Sequence, residues 1–259
     1  MASSLRELVL NEARAYAMFA NGRTVDHRFA VSLVCDDILD SRFNRTYIIE
    51  PAHLTRETLE EVSRDFFTVR LPLRLDVFLP IPAETIELLE RKGFEMTEEY
   101  ASVMMLQENE CLLRKNPEVE IRELTTEHLD DFSTIMLKAY GAPLDMVHMF
   151  TSIFRGSVAR ALQSRGTTFF LAFVKGEPVG TLYLFSYGGV GGIYNLAVDE
   201  RYRRHGVATT LVLQAIEDSR AAGNKTVCLT TRVGSVQEKF FERLKFTTVA
   251  RRKRAIKQL

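Results

Sequence analysis

The sequence predicts a mixed α/β fold of the α+β kind, in which a mixed sheet is flanked by helices. Of its 259 residues, 46% are hydrophobic, which is enough for a substantial core. From about residue 119 the apolar pattern changes repeatedly between the periods of strands and helices, in the order β-α-α-β-β-β-α-β-α-β. The first half also contains a weak repeat of the second, which predicts a tandem arrangement.

A polar segment ending in Asn116-Pro117 is the best candidate for a domain boundary. We therefore predict two domains, residues 1–117 and 118–259. Residues 1–117 hold 14 basic and 20 acidic side chains, and the remainder holds 20 basic and 14 acidic ones. The net charge of zero thus divides into −6 and +6, and the basic half can attract an anionic ligand.

The elements of the second half follow from hydrophobic spacing and from Gly and Pro at the turns. Apolar residues on one face predict a helix from residue 129 to 140, and residues 144–162 form a second. Residues 188–192, rich in glycine, are interpreted as a flexible connection. The remaining predictions are strands at 167–174, 179–187, 193–198, 226–230 and 246–256, with helices at 207–223 and 235–244.

The repeat rests on one short match. The segment Leu88–Phe94 aligns with Phe240–Phe246 at an offset of 152, with identical Glu, Arg and final Phe. At the same offset, the apolar Leu75 and Val77 align with Val227 and Leu229. This pattern favours an internal duplication.

The segment with most chemical content runs from Ile193 to Thr209 and predicts a strand, a tight basic turn and a helix. The first N–H groups of a helix lack internal partners, and the helix dipole adds positive charge there. Gly206 and Ala208 keep side-chain bulk away from an anion at the helix N-terminus, and Arg203 and Arg204 add positive charge beside it. A pyrophosphate fits this pattern.

The segment resembles motif A of the GNAT acyltransferase superfamily, whose pattern Q/R-x-x-G-x-G/A is met by residues 203–208. The resemblance covers about residues 119–259 and implies an acetyltransferase that binds acetyl-CoA as co-substrate, with no metal. It implies that the cofactor lies between two splayed parallel strands and contacts the backbone of Leu196, Ala197 and Val198. The implied pyrophosphate site consists of Arg203, Arg204, His205, Gly206, Val207, Ala208 and Thr209.

The usual catalytic groups of the family are missing from their positions. An acidic residue is expected at Gly192, and a proton-donating tyrosine is expected at Phe241; Gly234 and Lys245 also depart from the pattern. Tyr194, on the central strand, is our catalytic candidate. Other candidates are Tyr183, Tyr187, Asp199, Glu200, Asp145 and His148.

Three functions remain open at this point. The first is direct transfer of an acetyl group to a primary amine of a small molecule or peptide. The second is a catalytically impaired acyl-CoA-binding or regulatory module, and the third is a transferase that uses another acyl-CoA. In the first half Pro51–Arg56 occupies the place of the phosphate turn without a glycine, so we predict a degenerate GNAT-like lobe that does not bind CoA.

Composition limits the partners and the location. No apolar stretch approaches the length of a membrane span, and the first residues do not resemble a signal peptide. Cys35, Cys111 and Cys228 are widely spaced, which favours a reducing compartment and argues against a metal site. The basic run 251–254 lacks interleaved aromatics, so we expect no nucleic-acid partner. The expectation is a cytoplasmic monomer or homodimer without a membrane partner.

Overall fold

The computed structural model of the chain describes residues 4–36, 38, 40–41, 43–67, 73–106 and 113–257. Its mixed α/β architecture confirms the predicted fold class, and the elements from residue 119 follow the predicted order. Contacts between Cα atoms divide the chain into two compact units. One unit comprises Leu106–Leu229, and the other comprises Ser4–Met105 together with the chain from Thr230 on.

The unit built from Leu106–Leu229 contains the segment with the basic turn. Its helices and strands are β6 (Val119–Glu123), α4 (Leu129–Ala139), α5 (Leu144–Leu162), β7 (Thr167–Val174), β8 (Glu177–Tyr187), β9 (Val190–Val198), α6 (Val207–Ala221) and the start of β10 (Thr226–Arg232).

In this unit the strands lie in the order β10-β9-β8-β7-β6. Strands β6 to β9 are antiparallel neighbours, whereas β9 and β10 run parallel. Helices α4 and α6 both pack against β8 and β9. On β8, a Cβ at Gly180 would meet α6, whereas Tyr183, three residues along the strand, belongs to the aromatic row that reaches Phe132 of α4, so the two helices cover opposite faces of the sheet. Because β9 and β10 are parallel neighbours, the connection between them through α6 is a βαβ crossover, and it carries the basic turn.

The predicted flexible connection at 188–192 is wrong for its last three residues, because β9 begins at Val190. Only Gly188 and Gly189, both with positive φ, form the turn. Gly191 is paired within the sheet, and a Cβ there would lie 1.9 Å from the Ser219 hydroxyl on α6. This glycine therefore permits close packing of α6 on the sheet.

The second unit combines the first hundred residues with the last thirty. Its elements are α1 (Leu5–Ala20), β1 (Arg23–Asp26), β2 (Ala30–Val34), β3 (Arg45–Ile48), α2 (Arg56–Arg64), β4 (Arg74–Phe78), α3 (Ala83–Arg91), β5 (Phe94–Leu106), α7 (Val236–Arg243) and β11 (Phe246–Lys257).

Its strands lie in the order β1-β2-β3-β4-β11-β5. Strands β3 and β4 are parallel, and β11 pairs antiparallel with β4 from Arg252↔Phe78 to Ile256↔Arg74. The final strand is therefore an integral part of the unit that holds the start of the chain. The division into domains at residues 117 and 118 stays a prediction.

Elements of the two halves repeat at the spacing seen in the sequence. The first residues of β4 and β5, Arg74 and Phe94, lie 152 positions before those of β10 and β11. Helices α3 and α7 also end in the same way, because the Gly93 N–H donates to the Glu90 carbonyl and the Lys245 N–H donates to the Glu242 carbonyl. These matches support the internal duplication.

Within the described ranges, no helix is long and apolar enough to cross a membrane. In the same ranges no group of three or more His, Cys, Asp or Glu side chains is placed to hold a metal ion. Cys35 and Cys228 are buried and form no disulfide bond, whereas Cys111 lies outside the described residues.

Candidate functional site

The N-terminus of α6 offers its first N–H groups without a side-chain cap. The N-cap residue is Gly206, whose φ of 76° is left-handed, and the first turn contains no acidic residue. Gly206 cannot cap the helix with a side chain, so the amides of the first turn remain available to an anion. The pyrophosphate site at residues 203–209 stays a prediction.

The segment before the turn is stabilised by polar contacts to β8. The Tyr202 hydroxyl donates to Glu177 at 2.6 Å, and the Arg201 guanidinium donates to Glu177 and Asp199 at 2.8 and 3.1 Å. The hydrogen bond from Tyr202, followed by that from Arg201, lowers the pKa of Glu177 below its usual value. Arg201 is thus neutralised by two carboxylates and is not a free cation for a ligand.

Arg203 and Arg204 differ from Arg201 in this respect. Both are exposed, and no ion pair of the described residues involves either guanidinium. The His205 ring uses Nδ1 to donate to the Arg203 carbonyl at 2.9 Å, so one ring nitrogen serves the turn itself. Arg204 has a φ of 68°, which is strained for a residue other than glycine. The turn therefore presents two unpaired positive charges beside the uncapped helix.

Strand β9 loses its parallel partner shortly before the turn. Its pairing with β10 runs from Val190↔Thr226 to Ile193↔Leu229, and the described register ends there. Its pairing with β8 continues to Val198, across a bulge at Asn195, whose φ is 50°. A bulge bends a strand and increases its twist, which is consistent with splaying of the two parallel strands.

The exposed edge of β9 presents backbone groups at alternate residues. The Asp199 N–H donates to the Val179 carbonyl of β8 at 2.8 Å, so the Ala197 N–H faces β8 as well. Alternation then turns the N–H groups of Leu196 and Val198 toward the edge where pairing with β10 has ended. Of the three predicted backbone contacts, Leu196 and Val198 are therefore the ones whose amides point outward.

The corresponding helix of the first half, α2, has a different N-terminus. Thr55 is its N-cap, and the Thr55 and Thr58 side chains accept from each other's backbone N–H groups at 3.3 and 2.7 Å. Glu57 adds a negative charge in the first turn. Because α2 satisfies its own amides and repels anions, its structure is consistent with the predicted absence of CoA binding in this half.

Tyr194 lies in a row of aromatic rings on the face of the sheet covered by α4. Its ring centroid is 5.9 Å from that of Tyr183, which stacks on Phe169 at 4.4 Å; Phe169 in turn contacts Phe132 of α4 at 5.3 Å. Tyr194 is 7% exposed, and Tyr183 is 1% exposed. Burial raises the pKa of Tyr183 well above its usual value, so this hydroxyl stays protonated.

The remaining catalytic candidates have different surroundings. Asp199 is bound to Arg201, Glu200 is exposed in a 3₁₀ turn, and Asp145 is exposed at the start of α5. Tyr187 is 37% exposed at the end of β8. The side chain of His148 lies outside the described part of the structure.

The positions where catalytic groups were expected hold residues without them. Gly192 pairs with Phe185 and with Cys228 inside the sheet. Phe241, which belongs to the other unit, is buried against Phe240 and Phe246. Neither residue has a side chain that can accept or donate a proton.

Residues 129–246 match the family model described as the acetyltransferase (GNAT) family. This region is a GNAT acetyltransferase domain. The match includes all of the predicted cofactor-binding residues and Tyr194, and it supports acyl transfer in general.

Solved structures share the fold of this chain. A GCN5-related N-acetyltransferase from Kribbella flavida has a TM-score of 0.70 at 16% identity, with 100% of this chain and 97% of that chain covered. A functionally unknown conserved protein from Staphylococcus epidermidis has a TM-score of 0.68 at 15% identity, with 92% and 94% covered. A GNAT-family acetyltransferase from Colwellia psychrerythraea has a TM-score of 0.56 at 14% identity, with 99% and 98% covered. No curated protein matches the sequence.

Sequence reasoning missed two residues that hold the phosphate turn of the GNAT domain. The Asn116 side-chain amide donates to the His205 carbonyl at 2.9 Å, and the Thr210 hydroxyl donates to the Gly206 carbonyl at 3.0 Å. The sequence predicts Asn116 only as the end of a polar domain boundary segment. A polar residue directly before a proline is a turn signal as well, but the sequence does not indicate which turn it contacts.

Proposed function

We propose that this protein is a cytoplasmic acetyltransferase that binds acetyl-CoA and transfers the acetyl group directly to a primary amine of a small molecule or peptide. The observation that carries the proposal is the uncapped N-terminus of α6, placed next to the open edge of β9 within a GNAT domain. GNAT acetyltransferases generally use acetyl-CoA and amine acceptors.

In this proposal the chain supplies three kinds of contact to the cofactor. The amides from Gly206 to Thr209, with Arg203 and Arg204, hold the pyrophosphate. The outward N–H groups of Leu196 and Val198 pair with the pantetheine arm, and one of them polarises the thioester carbonyl. The chain's own backbone thus aligns the acyl group for attack by the amine.

Proton transfer is assigned to Tyr194, as the donor to the departing thiolate. Tyr194 belongs to β9, the strand assigned to the pantetheine arm. The positions where the family pattern places catalytic groups, Gly192 and Phe241, carry no titratable group. A neutral phenol can donate a proton to the thiolate that leaves when the C–S bond breaks, and the phenolate then regains a proton from the amine nitrogen that has formed the C–N bond. General-acid catalysis of this kind is typically worth about 10² to 10⁴ in rate.

The proposal is tested first by ligand binding. We expect CoA and acetyl-CoA to raise the melting temperature of the protein at millimolar concentration, because a ligand that binds only the folded state stabilises it. Release of free thiol from acetyl-CoA in the presence of a panel of amines should then exceed hydrolysis alone. The absence of any thermal shift would overturn the proposal.

Tyr194→Phe tests the catalytic assignment, with Tyr183→Phe as the matched control in the same aromatic row. We expect the first variant to lower kcat at least about a hundredfold and the second to leave it within about twofold. Equal rates for wild type and Tyr194→Phe would remove Tyr194 from the mechanism.

A second candidate function is an acyl-CoA-binding module without transferase activity. The absence of a titratable side chain at both Gly192 and Phe241 favours it. Binding of acetyl-CoA without thiol release across the amine panel would support this function, and binding of a longer acyl-CoA in preference would indicate a different acyl donor.

A further inference from the structure

Asn116 contacts the phosphate turn at two points. Its side-chain Nδ2 donates to the His205 carbonyl at 2.9 Å, and its backbone N–H donates to the Thr210 hydroxyl at 2.9 Å. Its Oδ1 accepts from the Glu118 N–H at 2.9 Å, which fixes the orientation of the amide. The preceding Lys115 binds Gln214 at 2.8 Å, so the segment is anchored along α6.

Thr210 extends this contact to the next peptide group. Its hydroxyl accepts from Asn116 and donates to the Gly206 carbonyl, which also accepts from the Thr210 N–H at 2.9 Å. Thr210 is 1% exposed, so water does not compete for its hydroxyl. The His205 carbonyl is therefore fixed by Asn116 directly, and the Gly206 carbonyl is fixed by Thr210, whose hydroxyl is oriented by Asn116.

Fixing these carbonyls also fixes the amides of the turn. In a trans peptide the C=O and the next N–H are coplanar and point in opposite directions. Holding the His205 carbonyl thus directs the Gly206 N–H away from Asn116, and holding the Gly206 carbonyl does the same for the Val207 N–H. These two amides belong to the N-cap and to the first residue of α6.

The close contact at Gly206 leaves little room for another arrangement. A Cβ at Gly206 would lie 3.2 Å from the Cβ of Asn116, and the φ of 76° already favours glycine. Asn116 therefore supports the turn through both packing and hydrogen bonds.

We infer that Asn116 is a positioning residue for phosphate binding, which aims the Gly206 and Val207 amides at the pyrophosphate of CoA. This inference rests on the proposed binding of CoA. Asn116 itself acts through the backbone of the turn and through Thr210.

The test compares CoA dissociation constants, measured by calorimetry, for wild type and four variants. Asn116→Asp keeps the size and the acceptor for Glu118 but loses the Nδ2 donor and adds a negative charge near the ligand. Thr210→Val loses the hydroxyl at constant volume and adds no charge, so it separates the loss of positioning from repulsion. We expect each to weaken CoA binding about tenfold. Thr210→Ser, which retains the hydroxyl, and Lys115→Ala, which contacts only later turns of α6, should stay within about twofold of wild type.

Amide NMR provides a signature that a purely structural role would not produce. On addition of CoA, the Gly206 and Val207 amide resonances should shift in the wild type and shift less in Asn116→Asp at equal saturation. If Asn116→Asp binds CoA with unchanged affinity and shows amide shifts equal to those of the wild type, the role of Asn116 is overturned while the proposed function stands. A wild type that does not bind CoA would overturn the proposed function, and the inference with it.

Discussion

Arg252 of β11 forms a bidentate ion pair with Glu12 of α1, with Nη2 to Oε1 at 2.7 Å and Nη1 to Oε2 at 3.0 Å. Both side chains are buried. Arg45 contributes a further contact to Glu12 at 3.3 Å, and Asp76 lies 3.5 Å from the Arg252 Nε. Burial alone would raise the pKa of Glu12, but Arg252 and Arg45 outweigh it and hold the pKa below its usual value. The carboxylate is therefore ionised in the folded protein.

We predict that Arg252→Ala lowers the free energy of unfolding by about 3–5 kcal/mol, because it leaves buried carboxylates with less compensation. Urea unfolding measures this value. Arg251→Ala is the matched control, since Arg251 precedes Arg252 on β11 and is exposed. Its expected effect is within about 0.5 kcal/mol. Comparable losses in the two variants would show that the buried pair has no special role.

His27 makes the stability of the folded protein depend on pH. Its ring nitrogens contact Glu61 at 2.8 Å and Asp65 at 2.7 Å, both at the end of α2 or just after it. Burial lowers the pKa of His27, but the hydrogen bonds to Asp65 and Glu61 outweigh burial and raise it above 6.5. The imidazolium form, in which both nitrogens donate, is thus favoured in the folded state.

The folded pKa exceeds the unfolded one, so the stabilisation by His27 is fully present below pH 6.5 and is lost as the pH rises through the folded pKa. We predict that the difference in free energy of unfolding between wild type and His27→Gln shrinks as the pH is raised from 6 to a value above the folded pKa of His27. Urea unfolding at several pH values measures it. His53→Gln, at an exposed position of the same unit, should show no comparable trend. A constant difference for His27→Gln would contradict the prediction.

Lys245 occupies a backbone conformation that favours glycine. Its φ is 70°, and Gly93, at the equivalent position of the first half, has a φ of 77°. We predict that Lys245→Gly raises the free energy of unfolding by about 0.5–1 kcal/mol, because strain in the left-handed region exceeds the entropy that glycine adds to the unfolded chain.

Gly93→Ala is the reverse change, and it should destabilise the protein by about 1 kcal/mol. No described atom lies within 4 Å of a Cβ at Gly93, so the effect would report backbone strain alone. Thermal unfolding of both variants provides the comparison. If Lys245→Gly proves less stable than the wild type, the strain argument fails at this position.

Arg204 combines the same backbone strain with a free charge. We predict that Arg204→Ala and Arg204→Gly both weaken CoA binding by about five- to thirtyfold, because both remove a charged donor to the pyrophosphate. Only Arg204→Gly should also raise the melting temperature of the free protein, since glycine accepts a φ of 68° without strain.

Arg201→Ala is the control for charge, because Arg201 is already paired with Glu177 and Asp199. It should affect CoA binding less than either Arg204 variant. Unchanged CoA affinity in both Arg204 variants would place the phosphate site elsewhere.

Much of the GNAT domain could be predicted because its signals are local. The hydrophobic period changes at the β9–α6 turn, and Gly206 stands where a left-handed N-cap is needed. The error at Val190 has a physical reason, since glycine indicates flexibility in a sequence but here allows contact with Ser219. The sequence contains no signal for that contact.

The features that the sequence did not reveal depend on partners distant along the chain. The sequence places Arg252 in a basic run on the final strand, yet its carboxylate partner lies 240 residues earlier. Asn116 reaches His205 across 89 residues. A single sequence contains no information on which distant residues meet in this way.

The place of β11 has a consequence for biosynthesis. Because β11 pairs with β4, the unit that begins at Ser4 cannot be completed as its first residues leave the ribosome. Until the last strand is translated, one edge of β4 has no permanent partner and is open to pairing with other chains. At that stage all residues of the other unit have been translated, so the unit that starts first along the chain is completed last.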